Sequence, residues 1–336
     1  MAKYLITGGM GFIGFNAALR CSRLGHTAVL FDDLSRESAR RNLKTLRRLR
    51  PHGLTFVRGD VRRPRALATL VARQRGFDRV LHLAAQVALT QSWKDPRADF
   101  EINALGTLNL MEALRRHSPK AQMLFASTNK VYGDLSWASF KKAPTRWTLR
   151  RPAGGVPETA PLEFDSPYAF SKGTAEQFVL NAARAHGLKA AVVRQSCVYG
   201  PWQYGEEAQG WISWFLRAGE ARQGISLFGD GRQTRDLLHI DDLLDFYDAA
   251  LGSGERLRGQ IYNVGGGPDR IISPRELLAW MKVRLPRMPK VSLEARRRGD
   301  QKAYASDLSK SRRELGWRPR VSVDEGLSRQ LSWLRE

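Results

Sequence analysis

Cysteine is nearly missing from this chain of 336 residues: Cys21 and Cys197 lie far apart, with no CxxC spacing or histidine cluster beside either. That scarcity excludes a disulfide framework and a structural zinc site, and no metal is expected. Long apolar runs are missing as well. No stretch reaches the roughly eighteen apolar residues that a bilayer crossing needs, so no membrane partner is expected. The N-terminus lacks a charged segment followed by an apolar one of signal length, because Tyr4-Leu5-Ile6 gives way at once to glycines. The expected location is the cytoplasm. No internal repeat is evident. Carboxylates are outnumbered, 33 against 55 basic residues, for a net charge of +22. The basic residues are spread over 40–50, 62–75, 146–151, 296–298 and 312–320. Aromatic residues are not interleaved with them as a stacking platform would require, so specific nucleic-acid binding is not expected. A solvated arginine-rich surface accounts for the charge, and steering of anionic substrates is the next reading.

What is present is a glycine-rich turn between two apolar strands. Residues 4–6 read as a buried strand, and Gly8, Gly9, Gly11 and Gly14 follow, so the backbone turns tightly and opens a helix over 12–24 with little side-chain bulk in the way. Such a turn aims free backbone N–H groups at an anion, and the pyrophosphate of a dinucleotide suits it. The candidates here are Gly8, Gly11, Phe12 and Ile13. A second strand over 28–31 ends at Asp32, whose carboxylate could accept both hydroxyls of an adenosine ribose and would repel a 2′-phosphate. NAD is therefore expected rather than NADP. Asp33 and Arg36 join the candidates, Arg36 being the one feature nearby that would favour a 2′-phosphate.

Strand and helix signals keep alternating past this stretch. They predict a parallel sheet covered on both faces, an α/β fold of the doubly wound Rossmann type. Residues 54–58 read as a third strand leading to Asp60 and Val61. Asp60 either accepts from an adenine amino group or caps the following helix. A fourth strand, 79–83, ends at Leu83 and runs into Ala84, Ala85 and Gln86, where small residues let backbone lie against a cofactor. A helix over 99–117 carries Asn103, and a fifth strand over 122–126 leads to Thr128. Residues 135–165, rich in Pro, Gly, Arg and Trp, show no clean period and read as an irregular excursion near the site. Ser166 and Pro167 open a helix over 168–186, and 189–194 is a sixth strand. Beyond Gly200 the alternation weakens, with helices over 210–221, 274–284 and 322–334 and a strand over 260–264. The expected organisation is a Rossmann domain over 1–195 and a smaller, mainly substrate-binding α/β lobe over 196–336, with some segments returning to the sheet.

Tyr168 and Lys172 are four apart in a predicted helix and share one face. An ammonium close to a phenol favours the phenolate, drawing a group whose ordinary pKa is about 10 towards working pH. Tyr168 could then take a proton from a hydroxyl as hydride leaves the same carbon. Lys172 would also reach the nicotinamide ribose, and Thr128 ends a strand expected to point at the same place.

Together Gly8-x-x-Gly11-x-x-Gly14, Asp32, Thr128 and Tyr168-x-x-x-Lys172 resemble the extended short-chain dehydrogenases/reductases, in their nucleotide-sugar epimerase branch, over essentially the whole chain. The runs STNKVYGD (127–134), SPYAFSKG (166–173), QGWISWF (209–215) and GDGRQTRDLLH (229–239) most resemble the 2-epimerases of that branch. The resemblance implies an isomerase holding NAD tightly and acting on a CDP-, GDP- or UDP-hexose. Hydride would leave the sugar carbon, the keto-sugar would reorient, and hydride would return to the other face, with no net redox change. Tyr168 would be base and then acid, Thr128 would hydrogen-bond the reacting oxygen, and Lys172 would hold cofactor and phenolate.

Asn129-Lys130 stands where the branch's 4,6-dehydratases place an Asp-Glu pair and where 3,5-epimerising reductases place a cysteine nearby. That leaves the 2-epimerase, with a 4-epimerase or a decarboxylase as alternatives. Cys197 occupies the place where many 4-epimerases carry an asparagine on the substrate phosphate. Arg235 and Arg297 match the family's phosphate-binding arginines, Gln209 and Trp211 would approach the base or sugar, and Gln86, Thr128, Asn129, Lys130 and Cys197 complete the expected substrate site. His239 is expected to be a packed or capping residue. The helices over 99–117 and 168–186 would form the four-helix interface of a homodimer, or of a tetramer built from it. A non-enzymatic dinucleotide-binding protein with a basic surface is the weaker alternative.

Overall fold

Tyr4, Leu5 and Ile6 are all buried, so this strand is covered on both faces, as a central strand of a parallel sheet must be. The computed structural model describes all 336 residues. In chain order they form β1 (Lys3–Thr7), α1 (Phe12–Arg23), β2 (Thr27–Asp32), α2 (Glu37–Leu49), β3 (Leu54–Arg58), α3 (Pro64–Arg73) and β4 (Arg79–His82). Next come α4 (Leu89–Lys94), α5 (Pro96–Phe100), a π turn (Glu101–Leu105), α6 (Gly106–His117), β5 (Gln122–Thr128), β6 (Ser139–Lys142) and β7 (Trp147–Arg151). The chain continues with α7 (Pro167–His186), β8 (Lys189–Gln195), β9 (Cys197–Tyr199), α8 (Trp211–Glu220), β10 (Ile225–Phe228), β11 (Thr234–His239), α9 (Ile240–Gly252) and β12 (Ile261–Val264). It closes with β13 (Ile271–Ile272), α10 (Pro274–Arg284), β14 (Val291–Glu294), β15 (Ala303–Tyr304), α11 (Ser309–Leu315) and α12 (Val323–Arg335).

These elements fall into two compact units, residues 1–128, 167–194 and 247–262 in the first and residues 129–166, 195–246 and 263–336 in the second. The seven-stranded sheet runs β12-β8-β5-β4-β1-β2-β3, and β1 pairs in parallel with β2 (Lys3 opposite Thr27) and with β4 (Tyr4 opposite Arg79). Strand order leaves β1 in both directions, so the C-terminal ends of β1 and β4 bound the crevice where doubly wound sheets take their ligands. Leu5, Val80, Met123 and Val192 pack with Leu67, Leu110 and Val179 of the covering helices to form one core of this unit. In the second unit β11 is buried along its length and pairs with β9, β13 and β15. Tyr199, Ile212, Phe215, Leu237 and Leu331 are among the residues of its larger core. No helix is long and apolar enough to cross a membrane.

The fold departs from the sequence-based expectations in three places. The helix expected over 99–117 is interrupted: α5 ends at Phe100, a π turn follows, and α6 starts at Gly106, where an added Cβ would lie 2.7 Å from Val61 Cγ2. Residues 135–165 contain the antiparallel hairpin β6–β7, and they belong to the second unit rather than to a domain over 1–195. The reason is backbone pairing: Trp147 N–H donates to the Arg232 carbonyl and Val156 N–H to that of Ala305, each at 2.7 Å. Finally, α9 has no counterpart in those expectations, and residues 247–262, from its middle onward, belong to the first unit.

Candidate active site

Gly8 has φ +67°, and a Cβ there would lie 2.7 Å from the Ala84 amide nitrogen, so glycine is what lets the turn after β1 rest on the loop after β4. A Cβ on Gly14 would overlap the Gly8 carbonyl oxygen. Gly11 begins α1 with no side-chain cap and no acid in the first turn, and the N–H groups of Phe12 and Ile13 have no acceptor in the chain. Such a helix N-terminus presents unsatisfied donors to an anion. At the end of β2, Asp32 accepts from Met10 N–H (3.0 Å) and Leu34 N–H (2.9 Å), and the Met10 carbonyl accepts from Asn42 Nδ2 (2.9 Å). Burial raises the Asp32 pKa against those hydrogen bonds. Its oxygens keep lone pairs for further donors. Free amides over a close glycine turn, with a held carboxylate one strand away, fit the pyrophosphate and ribose of NAD.

Other candidates of this unit are placed less directly. Asp33 is committed to its own turn, accepting from the Ser35 N–H and hydroxyl at 2.9 and 2.7 Å. Arg36 begins α2, and its charge lowers the pKa values of both Asp32 and Tyr168. Asp60 does not cap α3, which starts after Arg63; Arg62 grips it instead through Nε at 2.9 Å and Nη2 at 2.7 Å. The side chain of Val61 is buried in the core. Leu83, Ala84 and Ala85 are half-buried. Gln86 and Asn103 are spent on holding this loop. Gln86 Oε1 accepts from Ala88 N–H (2.6 Å), its Nε2 donates to Asp99 (2.8 Å), and its N–H donates to Asn103 Oδ1 (2.9 Å). The polar atoms of both side chains thus have partners within the chain, and their contacts with cofactor and substrate belong to the proposed function.

Thr128 at the end of β5 and Tyr168 in the first turn of α7 are hydrogen-bonded through their hydroxyls, both nearly buried. One turn on, Lys172 is 2% exposed, with Nζ 4.2 Å from the centre of the Phe125 ring and no hydrogen-bond acceptor in the chain. Burial brings its pKa down to about 7, with the charges of Glu176 and Asp99 pulling it upward. Tyr168 differs from expectation. Burial pushes its phenol up to about 12, and the groups that oppose this are Thr128 and Arg36 rather than Lys172.

Two buried networks brace these residues, and sequence reasoning missed both. Ser127 Oγ donates to Glu176 Oε1 at 2.5 Å, and Arg194 grips the same carboxylate through Nε and Nη2 at 3.1 and 2.8 Å. Asp99 accepts from Ser171 Oγ, Gln86 Nε2 and Asn103 Nδ2. Glu176 was findable, standing four residues beyond Lys172 on the same helical face. Asp99 and Ser171 meet only through tertiary packing.

In the second unit, Asn129 Nδ2 donates to Gln301 Oε1 (3.0 Å), and Lys130 Nζ donates to the Gly299 carbonyl (3.0 Å) and lies 3.9 Å from Asp300. Burial, then the Arg235 charge, brings the Lys130 pKa down to about 8. Arg235, from β11, donates to the carbonyls of Thr234 (2.6 Å) and Gln301 (2.9 Å) and to the Asp300 carboxylate. Its neighbour Asp236 turns elsewhere, to Ser196, Ser306 and Gly267. Trp211 Nε1 donates to the Cys197 sulfur at 3.5 Å, and burial raises that thiol's pKa. Asn129, Lys130 and Arg235 thus share the Gly299–Gln301 segment. Gln209 sits in a turn with Glu206, and Arg297 has Cζ over the Phe228 ring, 3.6 Å from its centre, while donating to the Glu207 carbonyl (3.0 Å). His239 is packed edge-on against Tyr199 and accepts from Asp241 N–H (3.3 Å).

The pattern of the NAD dependent epimerase/dehydratase family matches residues 4–265. The chain is similar to CDP-paratose 2-epimerase of Salmonella typhi, 37% identical over 342 residues that cover 98% of each protein. Among solved structures it resembles Pal from Bacillus thuringiensis, with a TM-score of 0.85, 29% identity and 99% of each chain covered. It also resembles the UDP-glucose 4-epimerase of Thermus thermophilus in complex with NAD, with a TM-score of 0.82, 30% identity and 99% of each chain covered.

Proposed function

Because the chain belongs to the NAD dependent epimerase/dehydratase family, we propose that it is a nucleotide-sugar 2-epimerase, inverting a hexose carbon by transient oxidation and reduction from the opposite face. Its cofactor is NAD. The observation that carries the reading is the Thr128–Tyr168 hydroxyl pair beside Lys172, a buried ammonium that finds no acceptor in the chain. A cation buried at such cost, without a partner, suits a ligand whose hydroxyls complete it.

The glycine turn, Phe12, Ile13 and Asp32 would hold NAD, with Asp33, Arg36, Asp60, Val61 and the backbone of 83–86 around the adenosine and pyrophosphate, Asn103 on the cofactor and Gln86 on cofactor and substrate. Bound there, NAD supplies an acceptor and then a donor of hydride. The phenolate of Tyr168 takes the proton of the sugar hydroxyl as the carbon–hydrogen bond breaks, and returns it to the ketone oxygen in the second half. Thr128 holds that oxygen by a hydrogen bond. Burial sets the phenol high, and the Thr128 hydroxyl and the positive charge of Arg36 oppose it and favour its ionisation. In the second unit, Arg235 and Arg297 would take the diphosphate, Gln209 and Trp211 the base or sugar, and Asn129, Lys130 and Cys197 the remaining substrate contacts. The Asn129 amide is neither a general acid nor a general base near neutral pH, which favours hydride chemistry over dehydration.

Inversion at C2 is supported by the relative that shares 37% identity; inversion at C4 is the second reading, favoured by the 4-epimerase of known structure. Two copies of the chain would associate through α6 and α7. The test is to offer CDP-, GDP- and UDP-hexoses to the purified protein in deuterium oxide. Bound NAD, a product of unchanged mass and no solvent deuterium at the inverted carbon are expected, with NMR assigning that carbon. Loss of water or carbon dioxide, or deuterium incorporation, overturns the reading.

A further inference from the structure

We propose that the second unit carries a separate binding site for the polyphosphate group of a small molecule. A cavity of about 550 Å³ opens among Gly154 and residues 266–270, 307–309, 312 and 318–320. Four arginines line it, Arg270, Arg312, Arg318 and Arg320, against two acidic residues, Asp269 and Asp307. One of those carboxylates is already engaged, since Asp307 accepts from the Ser309 N–H at 2.8 Å.

The arginines divide into a fixed one and three without partners. Arg270 donates through Nε to the Val321 carbonyl and through Nη2 to the Pro319 carbonyl, both at 3.0 Å, so it ties down the wall that bears Arg318 and Arg320. That wall is held a second time, by Arg320 and Val321 N–H groups donating to Asp242 at 2.9 and 3.0 Å. The side chains of Arg312, Arg318 and Arg320 are exposed and make no ion pair or hydrogen bond. Some exposed arginines of this unit find acids, Arg284 with Asp324, Arg329 with Asp241 and Arg335 with Glu220, and others such as Arg222 and Arg287 stand singly; what sets Arg312, Arg318 and Arg320 apart is that they share one cavity. Three unpaired guanidinium groups around one concavity, on a braced wall, repel one another until an anion enters, and a polyphosphate can engage them together through charge-assisted hydrogen bonds. The volume falls within the range of small-molecule pockets, roughly 300–1,000 Å³, and exceeds what a single phosphate fills. None of these residues serves the cofactor or the nucleotide sugar in the reading above, so the two proposals stand or fall separately.

The test is calorimetric titration of the NAD-loaded protein with inorganic tripolyphosphate and with ATP, beside the variant Arg312→Ala/Arg318→Ala/Arg320→Ala. The expected result is a saturable site in the wild type that the variant binds about a hundredfold more weakly, because three charge-assisted contacts are lost. Its epimerase turnover and melting temperature stay unchanged. Equal affinities for the two probes assign recognition to the phosphates alone, and tighter binding of ATP adds the nucleoside to the ligand; both support the site. Absence of a saturable site in the wild type, or a variant that binds as tightly, overturns it.

Discussion

At the scale of single residues, Lys172 and Tyr168 show burial outweighing charge pairing. Spacing on a helix predicts that the ammonium will draw the phenol down, yet enclosure raises Tyr168 to about 12 and lowers Lys172 to about 7. The sign for stability follows from the second value. A lysine whose folded pKa lies below its ordinary 10.5 opposes folding, fully below about pH 7 and less and less as pH rises towards 10.5. Lys172→Met should therefore raise the melting temperature at pH 6 by about 2–5 °C. The gain should shrink by pH 9, while turnover is lost. Calorimetry at the two pH values checks this, and a lower melting temperature at pH 6 would count against the unpartnered cation. Such a residue is held in place for what it binds.

At the scale of elements, the glycine turn and α1 act as one part. Gly14 belongs to the helix, but its missing side chain makes room for Gly8, and Gly8 in turn lies on Ala84 at the end of β4. Gly14→Ala must move the turn by the overlap its methyl creates. Overpacking of this kind costs about 1–3 kcal/mol, so NAD should bind about tenfold more weakly in the variant, measured as NAD retained on purification or by titration of the apoprotein. Full retention would show that the turn yields elsewhere. The same scale explains what the sequence hid in 99–117. Helical periodicity continues through that stretch, and only the packing of Gly106 on Val61 accompanies the π turn that separates α5 from α6.

At the scale of the whole molecule, Phe100 (38% exposed), Leu105 (40%) and Phe170 (54%) lie in or beside the helices α5 to α7 of the first unit, and leave apolar surface uncovered in a single copy. The proposed association through α6 and α7 would cover it. Phe170→Glu should then turn a dimer into a monomer by light scattering at micromolar concentration; an unaltered mass would remove these helices from the interface. The net charge of +22 also belongs to this scale. Its distribution along the chain argues against a nucleic-acid platform and marks 312–320 as basic, but only the fold brings Arg312, Arg318 and Arg320 to one cavity with Arg270.

The sequence by itself determined the doubly wound fold, NAD as the cofactor and the placing of Tyr168 and Lys172 one turn apart on a helix. Each is written in spacings of a few residues, which set backbone turns and shared helical faces without help from distant chain. The tertiary structure decided what lies far apart in sequence: that 129–166 belongs with the second unit, that Arg235 turns to Asp300 rather than to Asp236, and that Arg194 and Glu176 meet under Lys172. It also decided every pKa, because enclosure by non-local neighbours sets the cost of a charge, and no local pattern records that enclosure.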